Sequence, residues 1–327
     1  MKPIAILGAG AWGTALAIHL AHRHQAVRLW SMESSEITAM QSARANDRFL
    51  PGFAFPDTIA PTNDLAAAID GVDTVIIAIP SVAFRKTLIM LKHLGAANLR
   101  IISATKGLEA STGQLLHKVV TEELGDNIHF AVLSGPSFAK EVAALQPTSV
   151  MAASTHLPLI ADIQQRFQTD TFRVFPTNDV VGVEIGAIIK NIAAIAVGIA
   201  DGLALGTNAK SAIITQGLHE MITLGTTLGA RVETLVGLAG AGDLILTCTD
   251  NQSRNRRFGL ALGQGKTVAA AEKEIGHVVE GKSNLALALT LAKKQGVTLV
   301  IADAISQLLS GQCDAKGAVK HMLDASA

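Results

Sequence analysis

Only two of the 327 residues are cysteine, Cys248 and Cys313, and neither has metal-ligand spacing nor enough partners for a disulfide framework. That scarcity suits a reducing compartment, so a cytoplasmic location is expected. None of the ten histidines falls into ligand spacing either, and no metal is expected. An excess of one charge sign is also missing. Lys and Arg number 27, as do Asp and Glu, which argues against nucleic acid or another polyanion as partner. There are no internal repeats and no low-complexity segment. Met1-Lys2-Pro3 leads straight into an apolar run, so no signal peptide is expected. The longest apolar stretch, 185–200, carries Lys190 and Asn191 and reads as a buried helix, not a membrane span. With 49% hydrophobic and 17% charged residues, the chain can bury a large core, and its length fits two domains.

The first positive signal comes at the N-terminus. Ile4-Ala5-Ile6-Leu7 reads as a strand, Gly8, Gly10 and Gly13 follow in G-x-G-x-x-G order, and Thr14 to Leu20 continues as a helix. Each glycine has its own physical role. Gly8 permits a tight turn, Gly10 lets the backbone approach a pyrophosphate, and Gly13 allows close helix–strand packing. Phosphates would sit on the N–H groups opening the helix. Residues 26–30 supply a second strand at βαβ distance, which raises this motif above a chance glycine loop.

Through the first half, strand-like runs alternate with helical patterns: 4–7, 27–30, 74–79, 100–104, 130–133, 149–153 and 172–175, separated by 12–22, 33–44, 82–93, 113–123 and 157–167. Alternation of this kind implies an α/β fold with a Rossmann-type, doubly wound parallel sheet. Polar residues cluster where its strands should end: Pro80-Ser81, Thr105-Lys106-Gly107 and Ser134-Gly135-Pro136-Ser137. After about Asn178 strand signals almost vanish and alanine-rich helical runs take over. The chain is therefore divided into a dinucleotide-binding domain, 1–177, and an all-helical substrate domain, 178–327. A small substrate is expected in the cleft between them. The alanine-rich domain could also form a homodimer interface, although no residue pattern demands one.

Three features of the second half carry chemistry. Residues 183–200 form a helix that is apolar nearly all round, with Lys190 in its middle. The helical neighbours of Lys190 are Gly186, Ala187, Ala193 and Ala194, so no local acid pairs with it. A distant carboxylate is one resolution. A lysine whose pKa is lowered for acid–base work is the other, and a neighbouring dinucleotide site favours it. Second, Gly237 to Asp243 is another glycine-rich turn, but no strand precedes it; Asp243 should open a helix as a cap. Third, Ser253-Arg254-Asn255-Arg256-Arg257 is either a solvated basic turn or a phosphate clamp, since guanidinium binds phosphate bidentately.

Seven segments in this order resemble one family. They are 8–17 (GAGAWGTALA), 103–109 (SATKGLE), 133–141 (LSGPSFAKE), 189–193 (IKNIA), 237–244 (GLAGAGDL), 253–255 (SRN) and 279–281 (VEG). Over nearly its whole length the chain is similar to bacterial-type NAD(P)-dependent glycerol-3-phosphate dehydrogenases. The resemblance implies a Rossmann domain followed by a helical domain of the 6-phosphogluconate dehydrogenase-like kind. It implies reversible hydride transfer between NAD(P)H and dihydroxyacetone phosphate, giving sn-glycerol 3-phosphate for phospholipid synthesis. By motif, Lys190 would be the general acid–base, and Lys106 would contact both cofactor and substrate. Gly135, Ser137, Asp243, Ser253, Arg254 and Asn255 would surround the substrate. Gly8, Gly10, Ala11, Trp12, Gly13, Met32, Ala139, Arg254, Val278 and Glu280 would line the cofactor.

The chain departs from that family at two points. Bacterial members commonly carry a basic residue just after the second strand, where Ser31-Met32-Glu33 stands here, which leaves the choice between NAD and NADP open. They also often read Thr-Arg-Gly where this chain has Thr215-Gln216-Gly217. Two rival readings are a dehydrogenase of the 6-phosphogluconate type and a non-catalytic NAD(P)-binding sensor. The Gly-Ala-Gly-Asp and Ser-Arg-Asn segments argue against the first, and the set of Lys106, Lys190 and Asp243 argues against the second.

Overall fold

The computed structural model describes residues 1–95 and 99–324, so the last three residues of the expected second domain lie outside the described residues. Among the described residues, eight strands form one sheet: β1 Ile4–Leu7, β2 Val27–Trp30, β3 Ile59–Thr62, β4 Thr74–Ile77, β5 Arg100–Ser103, β6 Phe130–Ser134, β7 Thr148–Ala153 and β8 Phe172–Thr177. Their spatial order is β3-β2-β1-β4-β5-β6-β7-β8. Ile6 of β1 lies beside Leu29 of β2 on one side and Ile76 of β4 on the other, both in parallel register. The order runs outward in both directions from β1 and β4, and that reversal opens a crevice at the carboxyl end of β1.

Both β1 and β4 are buried at every position. Ile4 and Ile6 enter one core with Leu16 and Leu20 of the helix Ala11–His22. Ala5 and Leu7 enter the opposite core with Phe84 and Leu88. A strand covered on both faces reads as an unbroken apolar run, which is why these strands stand out in the sequence.

Two features depart from the expected sheet. β3 lies at the edge and includes Pro61, so it is short and carries little apolar signal. β7 runs antiparallel to β6, with Val132 opposite Ala153. The connection between them holds only the short helix Ala139–Ala143, which packs on Ala11–His22. It provides no full crossover, so the chain returns in the opposite direction.

The chain packs as two compact units, one formed by Met1–Thr105 with Leu116–Val180, the other by Lys106–Leu115 with Val181–Ala327. Leu108 and Leu115 belong to the helical unit's core. A ten-residue excursion between a strand and a helix leaves no compositional mark, so composition alone assigns 106–115 to the first domain.

The helical unit is organised around the helix Val180–Gly202, buried from Gly182 to Ala200. Ile213, Leu244, Phe258, Leu285, Ile301 and Ala318, each from a different helix, join its core. Among the described residues, two helical stretches are long and apolar enough for a membrane by length and composition: Val180–Gly202, whose most apolar stretch is 89% buried inside the fold, and Val232–Thr249, which contains the buried Asp243. The Thr-Gln-Gly departure finds a structural account here. Gln216 Nε2 donates to Glu220 Oε1 at 3.2 Å, and the same oxygen accepts the Ile301 N–H at 2.8 Å. Glu220 thus serves the first turn of the helix Val300–Leu309 from inside the core, and burial raises its pKa to about 7.

Candidate active site

In the sheet unit, the turn after β1 is shaped by what glycine permits. Gly8 has φ +118°, and a Cβ there would meet the Ala78 carbonyl oxygen at 2.4 Å. A Cβ on Gly13 would lie 1.9 Å from the Gly8 oxygen, so any side chain would separate helix from strand. Gly10 is different, because a Cβ there would meet nothing within 4 Å. Gly8 and Gly13 are required by the fold itself, whereas the open face at Gly10 suits close approach of a ligand. No side chain caps the helix Ala11–His22, so its first N–H groups are available as donors. Trp12 Nε1 is buried with no hydrogen-bond partner among the described residues. Uncapped N–H groups, an open glycine face and an orphaned indole N–H together fit a dinucleotide.

The sheet unit holds several more of the residues expected near the cofactor or the substrate. Ala139 opens the short helix that packs on Ala11–His22. Met32 follows β2 and is exposed. Just beyond it, the Glu36 carboxylate accepts from Ser31 Oγ at 3.2 Å and from Arg48 at 2.7 Å. Gly135, after β6, has φ +146°, and a Cβ there would crowd the Val150 backbone at 3.0 Å. Ser137 Oγ donates back to the Gly135 oxygen at 2.8 Å. One brace escaped sequence reasoning. Asn46 Nδ2 donates to the Ala9 oxygen at 2.7 Å and to Thr14 Oγ1 at 2.8 Å, tying the glycine turn to a segment with no motif of its own.

In the helical unit, close backbone approach sets the site. A Cβ on Gly186 would lie 2.2 Å from the Ala239 oxygen, so the turn Leu238–Gly242 rests directly on the buried helix, one turn before Lys190. That turn is π-helical, with the Gly242 N–H donating to the Gly237 oxygen at 3.0 Å. The extra residue of a π turn shifts the register of the next helix, which Asp243 begins. The expected capping role of Asp243 is not what its carboxylate performs. Oδ1 lies 2.5 Å from Lys190 Nζ, and Oδ2 lies 3.7 Å from Lys106 Nζ. Thr247 Oγ1 donates to the Asp243 carbonyl oxygen at 2.6 Å. The distant carboxylate that a buried lysine requires is therefore Asp243.

Two ammonium groups sharing one carboxylate leave a positive cluster in a buried place. Burial lowers the Lys190 pKa to about 8; Asp243 opposes this, and the charge of Lys106 adds to it. At Lys106 burial also acts downward, but Asp243 and Glu280 outweigh it and hold the pKa above its ordinary value. Lys190 is thus the lysine that gives up its proton more readily.

The Ser-Arg-Asn segment comes alongside by the same device. A Cβ on Gly259 would lie 2.0 Å from the Ile195 oxygen, so the helix Arg254–Gly263 lies directly against the buried helix. Ser253 Oγ caps it by accepting the Arg256 N–H at 3.2 Å. Asn255 Nδ2 donates to Asn191 Oδ1 at 2.8 Å, and its Oδ1 accepts the Gly281 N–H at 2.9 Å. Asn191 Nδ2 donates in turn to Glu280 Oε2 at 3.2 Å. Arg256 is bound to Asp201 and Asn251, whereas the Arg254 guanidinium has no hydrogen bond or ion pair among the described residues. Val278 is exposed just ahead of Glu280. The helical unit therefore brings together Lys106, Lys190, Asp243, Asn255 and Glu280, with Asn191 and Thr247 as additions. Asn191 sits beside Lys190 in the segment 189–193, so adjacency was the available signal; Thr247 had none.

The N-terminal part of the chain, residues 3–159, matches the family described as NAD-dependent glycerol-3-phosphate dehydrogenase N-terminus, and residues 179–320 match the corresponding C-terminus. The chain belongs to the NAD-dependent glycerol-3-phosphate dehydrogenase family. It is 48% identical over 324 residues to glycerol-3-phosphate dehydrogenase [NAD(P)+] of Coxiella burnetii strain RSA 331, covering 99% of this chain and 97% of the relative. To the protein of that name from Vibrio cholerae O395 it is 46% identical, over 98% and 94% of the two chains. A crystal structure of glycerol-3-phosphate dehydrogenase from Coxiella burnetii superposes with a TM-score of 0.96 at 47% identity, covering 99% of both chains. Family and fold agree on an NAD(P)-dependent oxidoreductase.

Proposed function

We propose that the chain interconverts dihydroxyacetone phosphate and sn-glycerol 3-phosphate, with Lys190 as the general acid–base. The observation that carries this reading is the ion-paired cluster of buried Lys190 and Asp243 with the partly buried Lys106. When bound, a reduced nicotinamide supplies the hydride that reaches the carbonyl carbon. As negative charge grows on the carbonyl oxygen, Lys190 Nζ donates its proton there, and Lys106 stabilises the charge without giving up its own. Asp243 Oδ1 orients Lys190 Nζ and keeps the protonated form accessible in a buried setting. In the oxidation direction neutral Lys190 takes the proton back.

Arg254 is the residue proposed for the substrate phosphate, since its guanidinium is unengaged and it opens the helix capped by Ser253. Ser253, Asn255, Gly135 and Ser137 are proposed around the substrate. Gly8, Gly10, Ala11, Trp12, Gly13, Met32, Ala139, Val278 and Glu280 are proposed along NAD(P)H, with Lys106 and Arg254 reaching both ligands. Supply of glycerol 3-phosphate for phospholipid synthesis and a cytoplasmic location belong to the same proposal; two free thiols support the latter. The homodimer expected of the alanine-rich domain also stays a proposal, to be tested by light scattering of the purified chain.

The deciding assay follows NADPH and NADH absorbance at pH 7 with dihydroxyacetone phosphate, then with 3-ketoacids, then without substrate. Oxidation of the cofactor by dihydroxyacetone phosphate alone is the expected result. Turnover with a 3-ketoacid instead would favour the hydroxy-acid reading and overturn this one.

A further inference from the structure

Lys106 has a long side chain, and its contact with Asp243, at 3.7 Å, is an ion pair without a hydrogen bond on Asp243 Oδ2. Such a contact does not by itself fix four rotatable bonds, so the position of the ammonium depends on where the backbone of its turn is held. That turn is well built internally. The Glu109 carboxylate accepts from the Ser111 and Thr112 N–H groups at 3.1 and 2.7 Å, and the Gly113 N–H closes onto the Glu109 carbonyl oxygen at 2.9 Å. Leu108 and Leu115 pack that turn into the helical core, and a polar tie close to Lys106 is a side chain: the Leu108 N–H donates to Asn284 Oδ1 at 2.6 Å. Leu108 is fully buried and Asn284 nearly so, which leaves no water to replace that acceptor. The amide of Asn284 is itself oriented, because its Nδ2 donates to the Glu280 carbonyl oxygen at 2.9 Å. Glu280 Oε2 accepts from Asn191, the residue after Lys190.

A continuous chain of bonds therefore runs from the turn of Lys106 through Asn284 and Glu280 to the residue beside Lys190. We propose that Asn284 is a positioning residue for the reaction: it fixes the turn of Lys106 and so holds the second ammonium against Asp243 and Lys190. It touches neither reactant and acts through Lys106. The inference rests on the reading of Lys106 as part of the proton-transfer site.

The test is a double-mutant cycle on the purified full-length enzyme, reading kcat with dihydroxyacetone phosphate, NADH binding by fluorescence, and the pH profile. Asn284→Ala is expected to lower kcat about tenfold or more while NADH binding stays within about twofold. Freed from the nearby charge of Lys106, Lys190 should hold its proton more tightly, so the alkaline limb of the reduction profile moves to higher pH. In a Lys106→Ala background the added Asn284→Ala should change kcat less than about twofold. Asn284→Asp keeps an acceptor for the Leu108 N–H and is expected to recover kcat to within about threefold of wild type; it also carries the test if the alanine variant does not fold. Wild-type kcat in Asn284→Ala overturns the inference. So does an undiminished loss in the Lys106→Ala background, or a well-folded aspartate variant no better than Lys106→Ala. Wild-type kcat in Lys106→Ala alone would instead remove Lys106 from the site, a failure of the functional reading that the cycle separates from the others.

Discussion

At the glycine turn of the sheet unit the groups on offer are backbone N–H donors and one indole N–H, all uncharged. The helical unit instead holds a buried ammonium and carboxylate, Lys190 and Asp243, with a second, partly buried ammonium at Lys106. The contrast matches two kinds of work. A cofactor that carries its own phosphates needs a shaped, dipolar cradle, and backbone supplies it without desolvating protein charges. Proton transfer needs a group whose pKa can be moved, and burial beside like and unlike charges moves it. A backbone site is fragile toward added volume, and a charge site toward lost or added charge.

The largest effect should come from removing the proposed acid–base. Lys190→Ala is expected to cut turnover by ~10²–10⁴ with cofactor affinity nearly unchanged, as measured by kcat and NADH fluorescence. In the wild type the donor must be protonated for reduction, so kcat/KM for dihydroxyacetone phosphate should fall as pH rises through about 8, and oxidation should rise through the same range. Turnover within threefold of wild type would remove Lys190 from its role.

The glycine turn can be broken in two distinguishable ways. Gly13→Ala forces a methyl into the Gly8 carbonyl and should destabilise the sheet unit by about 3 kcal/mol or more, seen as a lowered thermal midpoint. Gly10→Ala points into open space and should leave that midpoint in place while weakening NADH binding about tenfold. Equal losses of stability in both variants would mean that Gly10 serves the fold and not the ligand.

Arg254→Ala should cost on the order of 2–4 kcal/mol of transition-state binding for dihydroxyacetone phosphate, and far less for dihydroxyacetone. If both substrates weaken alike, the free guanidinium grips something other than phosphate.

Glu220 extends the contrast from catalysis to stability. Its folded pKa is raised to about 7 from 4.5, so between those values the folded chain holds a proton that the unfolded chain has released. Stability should therefore fall as pH rises from 4.5 to about 7 and remain lower above, by at most roughly 3 kcal/mol. Glu220→Gln keeps an acceptor for Ile301 and carries no charge, so it should melt higher than wild type at about pH 8 and alike near about pH 4. A wild-type melting curve at the alkaline end in that variant would mean that the buried carboxylate costs nothing there.

The smallest effect belongs to Met32. Met32→Arg adds a cation at the end of β2, where a 2′-phosphate is expected, and should raise kcat/KM for NADPH several-fold with NADH little changed. An unmoved NADPH/NADH ratio would place the ribose elsewhere.

What the sequence determined by itself was local. Gly8, Gly10 and Gly13 declare their turn because a strand and a helix flank them within a few residues, and β1 and β4 declare themselves because burial on both faces writes an unbroken apolar run. The conflict at Lys190 was equally visible, an ammonium on a helix with no acid within reach of its own turns. Tertiary structure decided how the conflict ended. Asp243 reaches Lys190 because Gly186 lets a π turn rest on the helix backbone, and Lys106 joins them because 106–115 packs with the helices and not with the strand it follows. It also decided that β7 runs antiparallel and that Asn46, Asn191, Thr247 and Asn284 brace the two sites. Their partners lie mostly far off along the chain, and a single asparagine carries no periodicity, so only packing could bring donor and acceptor within hydrogen-bond reach.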